Sequence, residues 1–104
     1  MNIKFEVIDI TKRKLRMTDF NWSHINKKHP EIASQKERIT ESLEKPDKII
    51  DSLKDENTKY YYKYYKNLSP PFQFIKTIVK YLNGEGFIIS SHFVRAIKWK
   101  TIIQ

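Results

Sequence analysis

Cysteine is absent from this 104-residue chain. That removes disulfide frameworks, thiolate zinc sites, iron–sulfur ligation and a cysteine nucleophile together. Glycine is nearly as scarce, and both copies fall in one run, Asn83-Gly84-Glu85-Gly86, which makes that run the strongest hairpin signal in the sequence. No segment approaches the ~18 apolar residues of a membrane span. The N-terminal stretch Met1-Asn2-Ile3-Lys4-Phe5-Glu6 carries charges where a signal peptide would be apolar, so a cytoplasmic protein with no membrane partner is expected. What remains is 39% hydrophobic, 31% charged and 13% aromatic, enough to bury one core and too apolar for a disordered chain. One domain, 1–104, follows.

Acidic residues are also in short supply, and unevenly so. Twenty Lys and Arg against twelve Asp and Glu give a formal charge of +8 and a pI near 9.7, which favours a polyanionic partner. Residues 58–104 hold eight basic side chains and a single acid, Glu85, and residues 1–17 hold five basic against two acidic. The stretch between is neutral or slightly acidic. Arg13, Arg16, Lys59, Lys63 and Arg95, with Tyr61 and His92, are therefore candidate RNA contacts. Each lysine has a plain structural alternative, because solvated lysines also protect sheet edges from pairing.

Alternation of apolar and polar residues predicts strands over 3–8 and 13–17. Thr18 is placed to cap a helix, with Asp19 in its first turn and Phe20, Trp22 and Ile25 as its apolar stripe, ending at His29 because Pro30 disfavours helix in the preceding residue. Pro30 and Glu31 suit the first turn of a second helix, which Ile32, Ile39 and Leu43 carry as far as Pro46. Strands then follow over 48–53, 58–66, 72–82 and 86–94, with 95–104 as a further edge strand. Short links between consecutive strands require antiparallel pairing. The fold class is α+β: two N-terminal helices packed on a curved antiparallel sheet.

In a strand, alternate residues share a face. Ile75, Thr77, Val79 and Tyr81 look like core, while Lys76 and Lys80 point the other way; Phe87, Ile89, Ser91 and Phe93 form the more apolar side of the next strand. With a three-residue hairpin loop, Lys76, Lys80, Ser90 and His92 share one face, and a loop of two or four breaks that grouping. Cations, a hydroxyl and an imidazole on one face supply the donors and proton carrier that phosphodiester chemistry needs. Tyr61 and Tyr65, or Tyr60, Tyr62 and Tyr64 in the opposite phase, offer stacking surfaces for unpaired bases, though some of these tyrosines simply cover the sheet. His24 and His29, five residues apart on a helix, point away from each other and do not match the same-face spacing of a zinc pair. Taken singly, His29 reads as a helix C-terminal residue favoured by the dipole, and His24 as a half-buried neighbour of Trp22.

Together, Trp22-Ser23-His24-Ile25, His29-Pro30-Glu31, Pro46-Asp47-Lys48-Ile49, the tyrosine-rich strand, Ile78-Val79-Lys80-Tyr81 and Gly86-Phe87-Ile88-Ile89-Ser90 resemble the phage barnase–EndoU–colicin–RelE-like nuclease families. The resemblance spans about residues 15–93. It implies a small toxin-like ribonuclease, metal-independent and without cofactor, that cleaves single-stranded or tRNA-like RNA. The reaction is attack of the 2′-OH on the adjacent phosphate to leave a 2′,3′-cyclic phosphate. By position His24, His29, Glu31, Lys80 and Ser90 match the family's motif residues, with Lys76 and Lys80 as phosphate stabilisers and Ser90 and Tyr61 as donors. Which imidazole is acid and which is base stays open. An antitoxin or immunity protein is the further partner implied. Ser90 departs from the threonine of the pattern, which keeps the hydroxyl and leaves room for a member that binds without cutting. Two other classes fit the same basic, aromatic sheet: a non-catalytic RNA- or DNA-binding module, and a structural phage or mobile-element protein with an acidic partner.

Overall fold

The two N-terminal alternating runs form strands β1 (Ile3–Ile8) and β2 (Lys14–Thr18), an antiparallel pair. The computed structural model describes residues 2–98, continuing with helix α1 (Asp19–Lys28), a 3-10 turn (Pro30–Ile32) and helix α2 (Lys36–Glu44). Strands β3 (Lys48–Asp51), β4 (Thr58–Tyr64), β5 (Phe74–Leu82) and β6 (Glu85–Val94) complete an α+β chain. The six strands make one sheet in the order β1-β2-β6-β5-β4-β3. It is mixed rather than wholly antiparallel, because β2 runs parallel to β6 through Leu15–Gly86 and Arg16–Phe87. Antiparallel pairing is forced only where consecutive strands are joined by short loops, and β2 and β6 are separated by both helices and three strands.

Local chemistry explains the helix limits. The Thr18 hydroxyl accepts from the Asn21 N–H at 3.0 Å, Asp19 lies in the first turn and Lys27 and Lys28 in the last, so both ends suit the dipole. α1 stops at His29, whose N–H still reaches the Ile25 carbonyl at 2.7 Å. The second helix expected from Pro30 onward is interrupted. Carbonyls of Pro30 and Ile32 accept from residues three further on, Ala33 at 3.2 Å and Gln35 at 2.9 Å, which winds the chain too tightly for an α-helix until Lys36. Residues 95–98 form no strand, contrary to expectation, and the rest of that segment lies outside the described residues. No helix among the described residues is long and apolar enough to cross a membrane.

The core joins Val7, Leu15 and Met17 to Ile25, Ile32, Ile39 and Leu43, and these to Tyr61, Val79 and Ile88 of the sheet. Burying each such side chain contributes roughly 1.5–3 kcal/mol. α2 is held to the sheet by polar groups as well: Ser42, Thr77 and Ser91 are all fully buried, and their hydroxyls line up at 2.8 and 3.0 Å. Ser42 donates to the Ile39 carbonyl at 2.6 Å, so its oxygen accepts from Thr77, and Thr77 in turn accepts from Ser91. Each of these three hydroxyls then has an acceptor for its proton.

A second polar knot fixes the β1–β2 turn. Asp9 is 2% exposed. One carboxylate oxygen accepts from the Thr11 N–H at 2.9 Å, the Thr11 hydroxyl at 2.7 Å and the Arg13 N–H at 2.9 Å, and the other from the Tyr61 hydroxyl at 2.5 Å. Burial by itself raises its carboxyl, but these bonds outweigh burial and hold it below the usual aspartate value. Tyr61 is pushed up, first by burial and then by its bond to Asp9. A depressed carboxyl gives stability that is complete above the unfolded value near ~3.9 and is lost as pH falls through the folded value. Asp9→Asn is expected to cost about 1–3 kcal/mol at neutral pH. The gap to wild type should narrow in urea melts at acid pH, where the aspartate itself is protonated.

Gly86 lies where β6 meets β2. A Cβ there would sit 2.4 Å from the Leu15 side chain, 3.1 Å from the Tyr81 ring and 3.2 Å from the Lys14 carbonyl. Gly86→Ala should therefore destabilise by about 1–3 kcal/mol and lower the melting temperature without changing the fold.

Candidate nucleic-acid site

The hairpin between β5 and β6 has a two-residue loop, Asn83-Gly84, both with positive φ (52° and 81°), and not the three-residue loop that would group Lys76 with the β6 imidazole. From this loop the pairs run Leu82–Glu85, Tyr81–Gly86, Lys80–Phe87 and Val79–Ile88. The register then shifts, leaving Ile89 unpaired, and resumes as Ile78–Ser90, Thr77–Ser91 and Lys76–His92. This β-bulge moves the rest of β6 by one residue and so exchanges its two faces. Phe87 accordingly shares Lys80's face and not that of Ser91 and Phe93, a correction to the simple alternation. Beyond the bulge Ser90 and His92 lie on the same face as Lys76.

α1 delivers the second imidazole. β2 leaves β6 after Phe87, and Asn21 of α1 donates to the Ile88 carbonyl at 3.2 Å just past that point. The end of α1 and the 3-10 turn run beside β6, and the His29 ring stacks on His92 with centroids 4.6 Å apart and planes 15° from parallel. Glu31 approaches His29 Nδ1 at 3.7 Å, an ion-pair distance rather than a hydrogen bond. Across the strand pair the Lys76 ammonium lies 4.4 Å from the Tyr60 ring centre and 5.9 Å from that of Tyr62.

Burial and positive neighbours outweigh the Glu31 carboxylate in the electrostatics of the cluster. His92 is pushed below the ordinary histidine value, by burial first and then by the charges of His29 and Lys76. Its Nδ1 is buried with no hydrogen-bond partner among the described residues, so an imidazolium would carry an N–H with nothing to donate to. Lys76 is also pushed down, chiefly by burial. A neutral imidazole, a cation and a second imidazole beside a carboxylate thus meet on one sheet face.

The other candidates divide. Ser90 shares the face of His92, two residues along, and Arg95 lines the same groove as His92 and Lys76. Lys80 is on that face too, but it lies on the order of 13 Å along the strand from Lys76 and is tied to Asp55 at 3.1 Å. His24 is exposed and stacks on Phe20, with centroids 6.4 Å apart. Tyr61 is the clear correction: it is fully buried and bonded to Asp9, and cannot touch RNA. Lys59 and Lys63 share its face, away from Lys76, and Lys59 pairs with Asp51 at 2.6 Å. Arg13 lies over the Tyr81 ring at 4.7 Å, and Arg16 is held by Glu6 at 3.1 Å and by Glu85. Of the two tyrosine phases, Tyr60, Tyr62 and Tyr64 are the ones on the Lys76 face, but Tyr62 is as buried as Tyr61, which leaves Tyr60 and Tyr64 as the accessible rings. Phe72 and Lys98, which complete the grooves there, carry no motif that would single them out.

Comparison with protein-family models, curated proteins and solved structures finds no match for this chain.

A titration of the histidine ring signals by NMR should give His92 a midpoint below ~6.5, rising when Lys76→Met removes a neighbouring charge. Because the folded value is depressed, the unfolded chain takes up this proton first as pH falls from ~6.5, so His92 subtracts stability below that pH. His92→Gln should flatten that stretch of the stability profile, as read by denaturant melts.

Proposed function

We propose that the protein is a metal-independent endoribonuclease acting by 2′-OH transesterification. The observation that carries this reading is the parallel stack of His29 on His92, which sets two imidazole edges side by side, with Lys76 opposite His92 in the strand pair. The neutral His92 takes the proton from the 2′-OH. Its oxygen attacks phosphorus, the bond to the 5′ oxygen breaks, and His29, next to the Glu31 carboxylate, gives that oxygen a proton. Lys76 and the Ser90 hydroxyl offset charge on the phosphate oxygens. The products are a 2′,3′-cyclic phosphate and a free 5′-OH, so atoms and protons balance with no further reactant. The resemblance to the barnase–EndoU–colicin–RelE-like families includes His29 and Glu31 among its motif positions without assigning acid or base, and an antitoxin or immunity protein would be the natural partner of such an enzyme.

Incubation with total RNA in excess EDTA, followed by end mapping, tests this. Cuts bearing a cyclic phosphate and a 5′-OH are expected. His29→Ala and His92→Ala should each slow cleavage by about 10²–10⁴-fold, whereas Lys80→Ala, whose ammonium is engaged by Asp55, should change it little. Ends bearing 3′-OH and 5′-phosphate would overturn the chemistry; binding without any cleavage would make the same face that of a nucleic-acid-binding module.

A further inference from the structure

Lys76 stands between two clefts. One, of about 420 Å³, is walled by Ile50, Leu53, Tyr60 and Tyr62. The other, of about 460 Å³, is walled by Tyr62, Phe72, Val94 and His92. Lys76, Lys98 and the buried Tyr62 belong to both, and Arg95 adds a third cation to the far side. The walls are apolar and aromatic, and the rims are cationic. Leu53 and Phe72 are 73% and 50% exposed, large apolar side chains left in water. Asp51, the acid beside the first cleft, is already paired with Lys59.

A ligand that matches these clefts has flat apolar faces in pairs, joined by an anion. Tyr60 on β4 and His92 on β6 flank Lys76 on β5, so the arrangement spans two strand spacings, on the order of 10 Å. That is the reach of two successive nucleotides. We propose that the two clefts are adjoining base sites for consecutive unpaired nucleotides of RNA, with the intervening phosphate on Lys76 beside the imidazole stack. The assignment of that phosphate rests on the nuclease reading above; the base sites themselves rest on the clefts. Bases engaged in a duplex keep their faces stacked inside the helix, out of reach of either cleft. Charge alone would favour the opposite order, because a duplex carries the denser line of phosphates.

The test uses a short 2′-O-methyl RNA strand, which lacks the attacking hydroxyl, free or annealed to its complement, with affinity read by fluorescence anisotropy. The free strand should bind at least about tenfold tighter than the duplex. Tyr60→Ala and Phe72→Ala should each weaken it by about 5–100-fold, the range for losing one stacked base, with little effect on the duplex. Tyr60→Phe keeps the ring and should keep the affinity. Leu53→Asp alters only an exposed side chain and should weaken the free strand without a folding defect. Equal affinity for strand and duplex, or indifference to Leu53→Asp and Phe72→Ala, would overturn this proposal even if unmodified RNA is cut. Tyr60-dependent binding of the free strand with no EDTA-resistant cleavage would instead overturn the nuclease reading and leave the base sites standing.

Discussion

One unpaired residue, Ile89, decides what the outer face of the sheet can do. A strand offers only two sides, and a register that follows directly from the Asn83-Gly84 loop would set His92 and Ser90 on the side opposite Lys76. The bulge reverses that. On the inner side the same shift brings Ser91 opposite Thr77, and the buried hydroxyl sequence from Ser42 to Ser91 then holds β6 in the shifted register. Inner and outer faces are therefore coupled: the bonds that satisfy buried hydroxyls also fix the outward direction of the neighbouring imidazole.

Net charge is a poor guide to where an anion would sit. Many of the basic side chains are engaged within the fold: Lys59 with Asp51, Lys80 with Asp55, Lys14 and Arg16 with Glu6, and Arg16 with Glu85. Arg13 and Arg38 lie over tyrosine rings. Among the described residues several lysines elsewhere on the surface also have no acid at ion-pair distance, but Lys76, Arg95 and Lys98 are the cations that border one groove beside His92. Lys76 is also partly desolvated by its tyrosine neighbours, which strengthens its attraction for an anion relative to an ammonium in water.

Much of this was legible in the sequence because local signals agreed with one another. Thr18, Asp19 and Pro30 delimit α1; Ile32, Ile39 and Leu43 reach the core; the alternation of Ile75, Thr77 and Val79 marks the inner face of β5. Three things were not legible. The parallel contact of β2 with β6 joins segments far apart in the chain, and no local pattern encodes it. The bulge at Ile89 leaves no mark in a run of Ile88, Ile89 and Ser90 that reads smoothly as strand. The phase of the tyrosine cluster was ambiguous because both sets alternate equally well, and only the partner of Tyr61, a buried aspartate far away at the β1–β2 turn, settles it. The same distance in sequence separates His29 from His92, so each taken alone has an ordinary structural explanation and only the stack brings them together.

The placement of β6 between β2 and β5 also sets an order of events. Synthesis delivers the N-terminal hairpin and both helices, with the core residues Val7, Leu15, Met17, Ile25, Ile39 and Leu43, before β6, whose Ile88 completes their burial and whose pairing joins them to the rest of the sheet. Long-range closure of this kind is slow relative to local hairpins and helices. It also means that His29 is synthesised long before its ring partner, and the imidazole pair requires β6 to be in place beside β5.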